Sequence, residues 1–368
     1  MNKKQNVIRS IIVSIILIML LSAGSVSCRQ QPVTRRYSTD ILGAFDTVIT
    51  IIAYCESDES FEQLQTYASD RFTELHQLYD RYSGYEGVNN TYTINQQAGL
   101  SPVSVEQELL DLIQISITWH EQSPGVTNIA LGPVLELWHD YRAAGLADPE
   151  NASLPPDEAL EEAYLHSNID QIETDSAAMT VFLPDPAMRL DLGAIAKGYA
   201  TEQVANELIS MGYESFLISS GGNVKAVGQP QDESRTQWGI GIQNPKPASD
   251  DDQLIDTAFV NNASLVTSGD YQRYYVVDGL IYHHIIDPRT LYPGDYYLAV
   301  TVLVEDSGFA DFLSTTLFLL PYEESRAYID TLPAAEALWV LPDGEVKVTD
   351  GFNILLKERG GAVNPPPE

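Results

Sequence analysis

Ser215-Phe-Leu-Ile-Ser219, Trp238-Gly-Ile-Gly-Ile242, Ser264-Leu-Val-Thr267, Tyr274-Tyr-Val-Val277, Ile281-Tyr-His-His-Ile-Ile286 and Tyr297-Leu-Ala-Val-Thr-Val-Leu-Val304 succeed one another through the second half of the chain. Each is short and rich in β-branched and aromatic residues, which is the pattern of strands. The first half reads differently. Phe45–Tyr54 is a strand, but Glu59–Tyr82 places Phe61, Leu64, Ala68, Phe72, Leu75 and Tyr79 at helical spacing. Further helices are expected over Val105–Glu121, from Pro133 onward with proline in the first turn, and over Ala194–Met211, where Gly212 stops it. Met188–Leu192 reads as a strand, residues 145–160 as an exposed excursion. A helix over Ala310–Leu320, another over 322–331 and a pair of strands around 336–348 close the sequence. Blocks of helices and blocks of strands, without strict alternation, predict an α+β fold with largely antiparallel sheet flanked by helices.

The chain has 368 residues, 44% of them hydrophobic, and 52 acidic against 20 basic residues give a net charge of −32. So acidic a surface repels phosphate backbones, which argues against nucleic acid as a partner, and gives no polybasic grip on anionic lipid. An anionic ligand must be held locally, by amides, a metal or single cations.

At the N-terminus Lys3, Lys4 and Arg9 precede an apolar run from Ile11 to Leu21 and small residues up to Cys28. The run is shorter than the roughly 20 residues that a membrane span needs and has the form of an export signal. Cysteine after Ser25-Val-Ser suggests a lipidated start of the mature protein. Residues 1–28 are therefore expected to be a signal peptide ending at Cys28, 29–42 a tether, 43–358 one catalytic unit and 359–368 a disordered tail. The remaining Cys55 ends an apolar strand and reads as a buried thiol.

Four polar segments stand out from this apolar background: Asp191-Leu-Gly-Ala-Ile-Ala-Lys197-Gly198, Ser219-Ser-Gly-Gly-Asn223, His283-His-Ile-Ile-Asp287-Pro-Arg-Thr290 and Asp311-Phe-Leu-Ser-Thr315. Gly193 before a helix lets backbone approach a ligand, the first helical amides attract an anion, and Lys197 reaches back from one turn in. An N-capping aspartate with a surface lysine fits the same residues. Gly221 and Gly222 make either an anion-binding nest or a hairpin turn. Ser268-Gly269-Asp-Tyr271 is a second glycine turn, whose tyrosine either flanks a planar ring or packs in the core. Alternation sends His283 and His284 to opposite faces, so one of them faces any given site, and a near-neutral imidazole suits proton transfer from a hydroxyl. Asp311 and Thr315 share one helical face, where a hard cation such as Mg²⁺ would compensate a buried carboxylate and hydroxyl; an intrahelical hydrogen bond is the alternative.

In this order the segments resemble the ApbE family, the FAD:protein FMN transferases. The resemblance takes in Phe45-Asp-Thr, Leu78-Tyr-Asp-Arg-Tyr-Ser-Gly-Tyr85, Asn128-Ile-Ala-Leu-Gly-Pro-Val-Leu-Glu-Leu-Trp138 and Ser268-Gly-Asp-Tyr271, and covers Phe45 to about Leu356. It implies an ApbE-like, T-fold-related unit that binds FAD as substrate through Phe45, Tyr85, Thr127, Asn128, Asp191, Lys197, Gly221, Gly222, Ser268, Gly269, Tyr271 and the Ile285 backbone. It also implies Mg²⁺ held by the Ala194 carbonyl, Asp311 and Thr315, with His284 as catalytic base. FMN would pass to a threonine (or serine) of an exported flavodoxin-like or FMN-binding acceptor protein, with release of AMP. The enzyme would sit on the outer face of the bacterial cytoplasmic membrane, held by a lipid anchor. Three departures concern metal number and target preference: Leu291 stands where many members have glycine, Ser314 where some have a further aspartate, and Lys197 where some have glutamate. An FAD pyrophosphatase giving FMN and AMP, or a non-catalytic flavin-binding lipoprotein, would use the same residues.

Overall fold

Alternation of side chains along the central strands settles the architecture. In Phe216–Ser220, Phe216 and Ile218 face one way and Leu217 the other, and each side joins a different apolar cluster. The same split separates Val266, Val300, Val302, Ala337 and Trp339 from Leu265, Ala299, Leu303, Leu338 and Val340. A sheet apolar on both faces must be covered on both.

A computed structural model describes residues 34–358 apart from 233, 250, 251 and 272. In chain order the elements are β1 (Arg35–Ala44), β2 (Thr47–Cys55), α1 (Asp58–Tyr79), α2 (Thr91–Gln96), β3 (Val103–Ser104), α3 (Gln107–Glu121), α4 (Gly132–Ala147), α5 (Asp157–Tyr164), β4 (Glu173–Asp175) and β5 (Thr180–Phe182). Then come α6 (Ala196–Ser210), β6 (Phe216–Ser220), β7 (Asn223–Val227), β8 (Trp238–Gln243), β9 (Leu254–Val260), β10 (Ala263–Gly269), β11 (Tyr274–Val277), β12 (Leu280–His283) and β13 (Ala299–Val304). The chain ends in α7 (Ser307–Phe318), α8 (Tyr322–Ile329), β14 (Glu336–Val340), β15 (Val346–Val348) and α9 (Asp350–Asn353). The fold is α+β, and every strand pairing is antiparallel.

The main sheet has the order β1-β2-β6-β7-β10-β13-β14-β15. Its helical face carries α1, α3 and α6 over β2 and β6, and α7 and α8 over β10, β13 and β14. The opposite face is covered by the β8–β9 hairpin and by Phe352 and Leu356. A smaller fourth cluster joins α4 and α5 to the β11–β12 hairpin through Trp138, Leu160, Tyr275 and Val277. α1 starts on Ser57, whose hydroxyl accepts from the Ser60 amide at 3.1 Å, and α7 starts on Asp306, which accepts from Phe309 at 2.7 Å.

Three expectations need correction. The tether predicted over 29–42 is shorter, because residues from Arg35 form β1, paired with β2 from Arg35↔Cys55 onward. As an edge strand it buries only Ile41 and Ala44, so its composition is that of a loop. Met188–Leu192 is not a ladder strand: the Leu190 amide donates to Asn95 Oδ1 at 2.7 Å and the Asp191 amide to the Ile129 carbonyl at 2.8 Å. The excursion over 145–160 holds a short 3₁₀ turn at Pro149–Asn151 and the start of α5. The signal-peptide, Cys28 and tail assignments lie outside the described residues. Cys55 is buried, and burial pushes its thiol up.

Between α6, β7 and the start of α7 lies a buried ion pair. Lys225 Nζ donates to Glu202 Oε1 at 3.1 Å and to the Glu305 carbonyl at 2.7 Å, while Glu202 Oε2 accepts the Ser307 amide at 2.8 Å. Removing one partner strands the other in the interior. Lys225→Met is expected to lower stability by about 3–5 kcal/mol, read from urea unfolding. A loss below about 1 kcal/mol would mean that solvent reaches Glu202.

Candidate functional site

The ends of these elements enclose a cleft of about 840 Å³. That is near the upper end of the roughly 300–1,000 Å³ usual for small-molecule sites. Its lining includes Phe45, Tyr85, Thr127, Asn128, Asp191, Ala194, Lys197, Gly221, Ser268, Gly269, His284, Ile285, Asp311 and Thr315, from eight separate stretches of chain. Gly222 and Tyr271 are not part of it. Gly221 and Gly222 are the two positive-φ residues of the β6–β7 turn between Ser220 and Asn223, which decides for the hairpin and against the nest. Tyr271 packs against the core on the far face of the sheet.

One hydrogen bond organises the floor. The amide of Gly198 donates to Asp311 Oδ2 at 2.8 Å, joining α6 to α7. The helices meet so closely that a Cβ at Gly198 would collide with the Ser307 carbonyl and the Asp311 side chain. In a regular helix that amide would bond the Ala194 carbonyl four residues back. Given to Asp311 instead, it leaves the Ala194 carbonyl without a backbone donor among the described residues. Lys197 Nζ lies 3.6 Å from Asp311 Oδ1 and donates to Asn223 Oδ1 at 3.1 Å, so it is not the surface lysine that the sequence also allowed. Burial pushes the Asp311 carboxyl up; the Lys197 charge and the Gly198 amide oppose it without cancelling it. One turn on, Thr315 Oγ1 is 3.3 Å from Ser268 Oγ, which is 2.8 Å from Ser314 Oγ.

The set of an underpaired carboxylate, a hydroxyl and an open carbonyl is all hard oxygen. It fits a cation of the Mg²⁺ kind, which keeps waters and substrate phosphates as its other ligands. Among the described residues no group of three or more His, Cys, Asp or Glu side chains forms a metal cluster.

The two histidines separate as alternation requires. His283 is buried, with Nε2 on the Gly294 carbonyl at 2.7 Å and Nδ1 accepting the Ile285 amide at 3.2 Å. His284 lines the cleft, and its Nδ1 has no hydrogen-bond partner. Burial and the nearby positive charges of Arg273, Arg142 and Lys197 push its imidazole down to about 3, so it is neutral. Ile285 also faces the cleft, but its carbonyl already accepts from Gly294 at 3.0 Å. The Asn128 side chain bonds the Ser167 carbonyl and the Ala130 amide, and Thr127 bonds Thr316, so both shape the wall from within. The Tyr85 hydroxyl donates to Asp80 at 2.8 Å, and burial together with that carboxylate pushes it up to about 12.

Asp191 turns out to be half of an ion pair, its Oδ2 2.5 Å from Arg81 Nη1, while its Oδ1 accepts the Gly193 amide at 2.8 Å. Arg81, Arg142, Arg273, His76 and His139 all line the cleft and were not foreseen. The stretch Leu78–Tyr85 was the available signal for Arg81. Four of the chain's 20 lysines and arginines, Arg81, Arg142, Lys197 and Arg273, meet here, balanced by Asp46, Asp80, Asp191 and Asp311. The cleft is thus formally neutral in a chain of charge −32.

Residues 45–339 match the ApbE family. The chain belongs to that family. The FAD:protein FMN transferase of Treponema pallidum is 31% identical over 91% of this chain and 93% of its own length. The protein of the same name from Klebsiella pneumoniae is 34% identical over 77% of this chain and 86% of its own. The crystal structure of the ApbE protein of Thermotoga maritima superposes with a TM-score of 0.76 at 28% identity, covering 88% of this chain and all of that one. Within this ApbE-family fold Leu291 keeps a left-handed backbone (φ 64°), and its carbonyl accepts from Trp138 Nε1 at 2.8 Å.

The Arg81–Asp191 pair gives a pH test. Burial alone would raise Asp191, yet Arg81 and the Gly193 amide hold it below the usual carboxylate range. Its stabilisation is therefore present above the unfolded pKa and lost as pH falls through the folded one. In Arg81→Met burial, the largest influence on Asp191, is opposed mainly by the Gly193 amide, so the carboxyl rises and the penalty for ionising it applies at higher pH. The stability deficit of Arg81→Met is expected to be about 3–5 kcal/mol near pH 7 and smaller near pH 4. Equal deficits from unfolding curves at the two pH values would exclude Asp191 as the stranded group.

Proposed function

We propose that this chain is an FAD:protein FMN transferase acting on an exported acceptor protein. The observation that carries the reading is one cleft in which Asp311, Thr315 and the open Ala194 carbonyl face the same space as a neutral, unpartnered His284. The relatives named as FAD:protein FMN transferases support it.

FAD is a diphosphate ester, so its transfer needs charge neutralisation, alignment and a proton acceptor. Lys197, Arg142 and Arg273 supply fixed positive charge in a cleft that is otherwise acid-balanced. Mg²⁺ held by the Ala194 carbonyl, Asp311 and Thr315 would add Lewis-acid neutralisation of the diphosphate. His284 takes the proton from a threonine or serine hydroxyl of the acceptor. The hydroxyl oxygen bonds the FMN-side phosphorus, the P–O bond to the adenylate phosphate breaks, and AMP leaves. FMN remains attached to the acceptor through a phosphoester. In the open cleft His284 is a weak base because burial and three cations act on it. A bound diphosphate offsets those cations, so basicity rises when substrate is in place.

The acceptor is an exported flavodoxin-like or FMN-binding domain with a target threonine. The N-terminal charge pattern, apolar run and Cys28 support export and a lipid anchor on the outer face of the cytoplasmic membrane.

The test is intact-mass spectrometry of an FMN-binding acceptor domain incubated with the protein, FAD and Mg²⁺. A mass gain equal to FMN, lost on removal of Mg²⁺ or in Asp311→Ala, is the expected result. Release of FMN and AMP without an adduct would instead identify a pyrophosphatase. In His284→Ala, FAD binding is expected to persist while transfer falls by about 10²–10⁴-fold, and undiminished transfer would remove His284 from the role of base.

A further inference from the structure

The β11–β12 hairpin has one packed face and one bare one. Tyr275 and Val277 point inward to α4, with the Tyr275 hydroxyl donating to the Ser153 carbonyl at 3.1 Å. On the outside Tyr274, Val276 and Ile281, which share a face by the strand register, are 41%, 45% and 58% exposed. They account for three of the 15 exposed large hydrophobic residues among those described, gathered within eight positions. The two strands pair only with each other among the described residues, so their outer edges also offer unpaired backbone groups. The turn between them, Asp278-Gly279, has both residues at positive φ, which makes the hairpin tight and well defined.

The hairpin is also the element that carries the candidate base. β12 ends at His283, and His284 is the next residue into the cleft. At the other foot of the hairpin Arg273 lines the cleft and lies 3.9 Å from Asp46 in the β1–β2 turn. Ile281 is three residues from His284, about 10 Å along an extended strand. An acceptor hydroxyl must come within about 3 Å of the His284 ring. Residues flanking that hydroxyl advance about 3.3–3.6 Å each. Ile281 and His284 lie on opposite faces of the strand, so a segment added along the hairpin edge with its hydroxyl turned to His284 places the residues one and three positions away on the bare face. From Arg273 to His284 the only charged residues are Arg273 and Asp278, so this face is neutral on a chain of −32.

We infer that the outer face of the β11–β12 hairpin, Tyr274, Val276 and Ile281, docks an extended, uncharged, apolar segment of the acceptor protein flanking its target hydroxyl. The inference rests on the transferase reading above and adds to it what selects the acceptor. Edge pairing would supply register and the apolar side chains affinity, as in other cases of strand addition.

The test is steady-state FMN transfer to the same FMN-binding acceptor domain by Val276→Ser/Ile281→Ser, two exposed positions outside the catalytic cleft. Loss of this apolar contact is expected to raise KM for the acceptor about 10- to 100-fold. KM for FAD, Mg²⁺-dependent FAD turnover without acceptor and the melting temperature are expected to stay unchanged. Leu100→Ser/Leu165→Ser, more exposed and elsewhere on the surface, serves as control and is expected to change nothing. An unchanged acceptor KM with transfer intact overturns the docking site and leaves the transferase reading standing. If the wild-type protein forms no adduct at all, both fall. Two other occupants would also overturn it with acceptor KM unchanged. A dimer turned to monomer would assign the face to a second copy, and lost binding to phosphatidylethanolamine–phosphatidylglycerol vesicles would assign it to the membrane.

Discussion

The hydrogen bond from the Gly198 amide to Asp311 is the constraint on which the cleft depends. It requires a residue without a side chain, because α6 and α7 cross where any Cβ at 198 would meet the Ser307 carbonyl. It removes one amide from the start of α6 and so leaves the carbonyl of Ala194, a residue of the cleft lining, without a backbone donor among the described residues. It also fixes the Asp311 carboxylate so that its other oxygen faces Lys197. Two oxygen groups, the Ala194 carbonyl and the Asp311 carboxylate, are thereby positioned by a single helix–helix contact. The Lys225–Glu202 pair holds the same two helices from the other side, since Glu202 also binds the first amide of α7. A carboxylate buried this deeply is costly unless charge or hydrogen bonds compensate it. Here the compensation is partial, and that partial debt is what makes the floor of the cleft receptive to a cation.

Charge in this protein works at two ranges. The surface is strongly acidic, while the cleft gathers four cations against four carboxylates. Arg81 is committed to Asp191, and Lys197 is shared between Asp311 and Asn223. Arg142 has a 3.3 Å contact with His139 Nδ1, and burial and Arg273 lower it from the usual guanidinium range. The charges least compensated are thus those of Arg142 and Arg273. Burial is the main cause of the lowered His284 imidazole and these charges add to it, so an anion bound there satisfies the arginines and removes their part of the depression.

How far the sequence could be read follows from the range of each interaction. Period-2 and period-3.6 patterns exposed most strands and helices, because packing against one core leaves its mark on each element locally. The i, i+4 pairing of Asp311 with Thr315 and the split of His283 from His284 are also local, and both were legible. β1 was not, because an edge strand with Arg35, Arg36, Ser38 and Asp40 has the composition of a loop and gains its identity only from β2. Met188–Leu192 misled in the opposite direction: it is extended, but its amides go to Asn95 and to Ile129 outside any sheet. Arg81 meets Asp191 across 110 positions of sequence, and nothing local in either residue announces the other. Tyr271 failed for a related reason, since a tyrosine after a glycine turn is equally at home in a site or in a core, and here the far face of the sheet decides.

The cleft divides into a floor and a mouth built by different means. The floor residues Lys197, Asp311 and Thr315 stand on helices whose faces are buried in the main cores, which holds them to a fixed geometry. The mouth is made of turns. Phe45 and Asp46 both take positive φ without being glycine, a conformation costing about 1–2 kcal/mol per residue, and the turn brings the Phe45 ring to 5.5 Å from His76 and Asp46 toward Arg273. Strain of this kind persists only where surrounding structure enforces it, and it gathers at sites that bind. Chemistry on a diphosphate needs the same charges in the same places for every acceptor, which suits a rigid floor. Selecting one protein chain among many needs apolar surface and backbone that the floor does not have. The β11–β12 hairpin provides both, and because it ends one residue before His284, recognition of the acceptor and placement of its hydroxyl become one event.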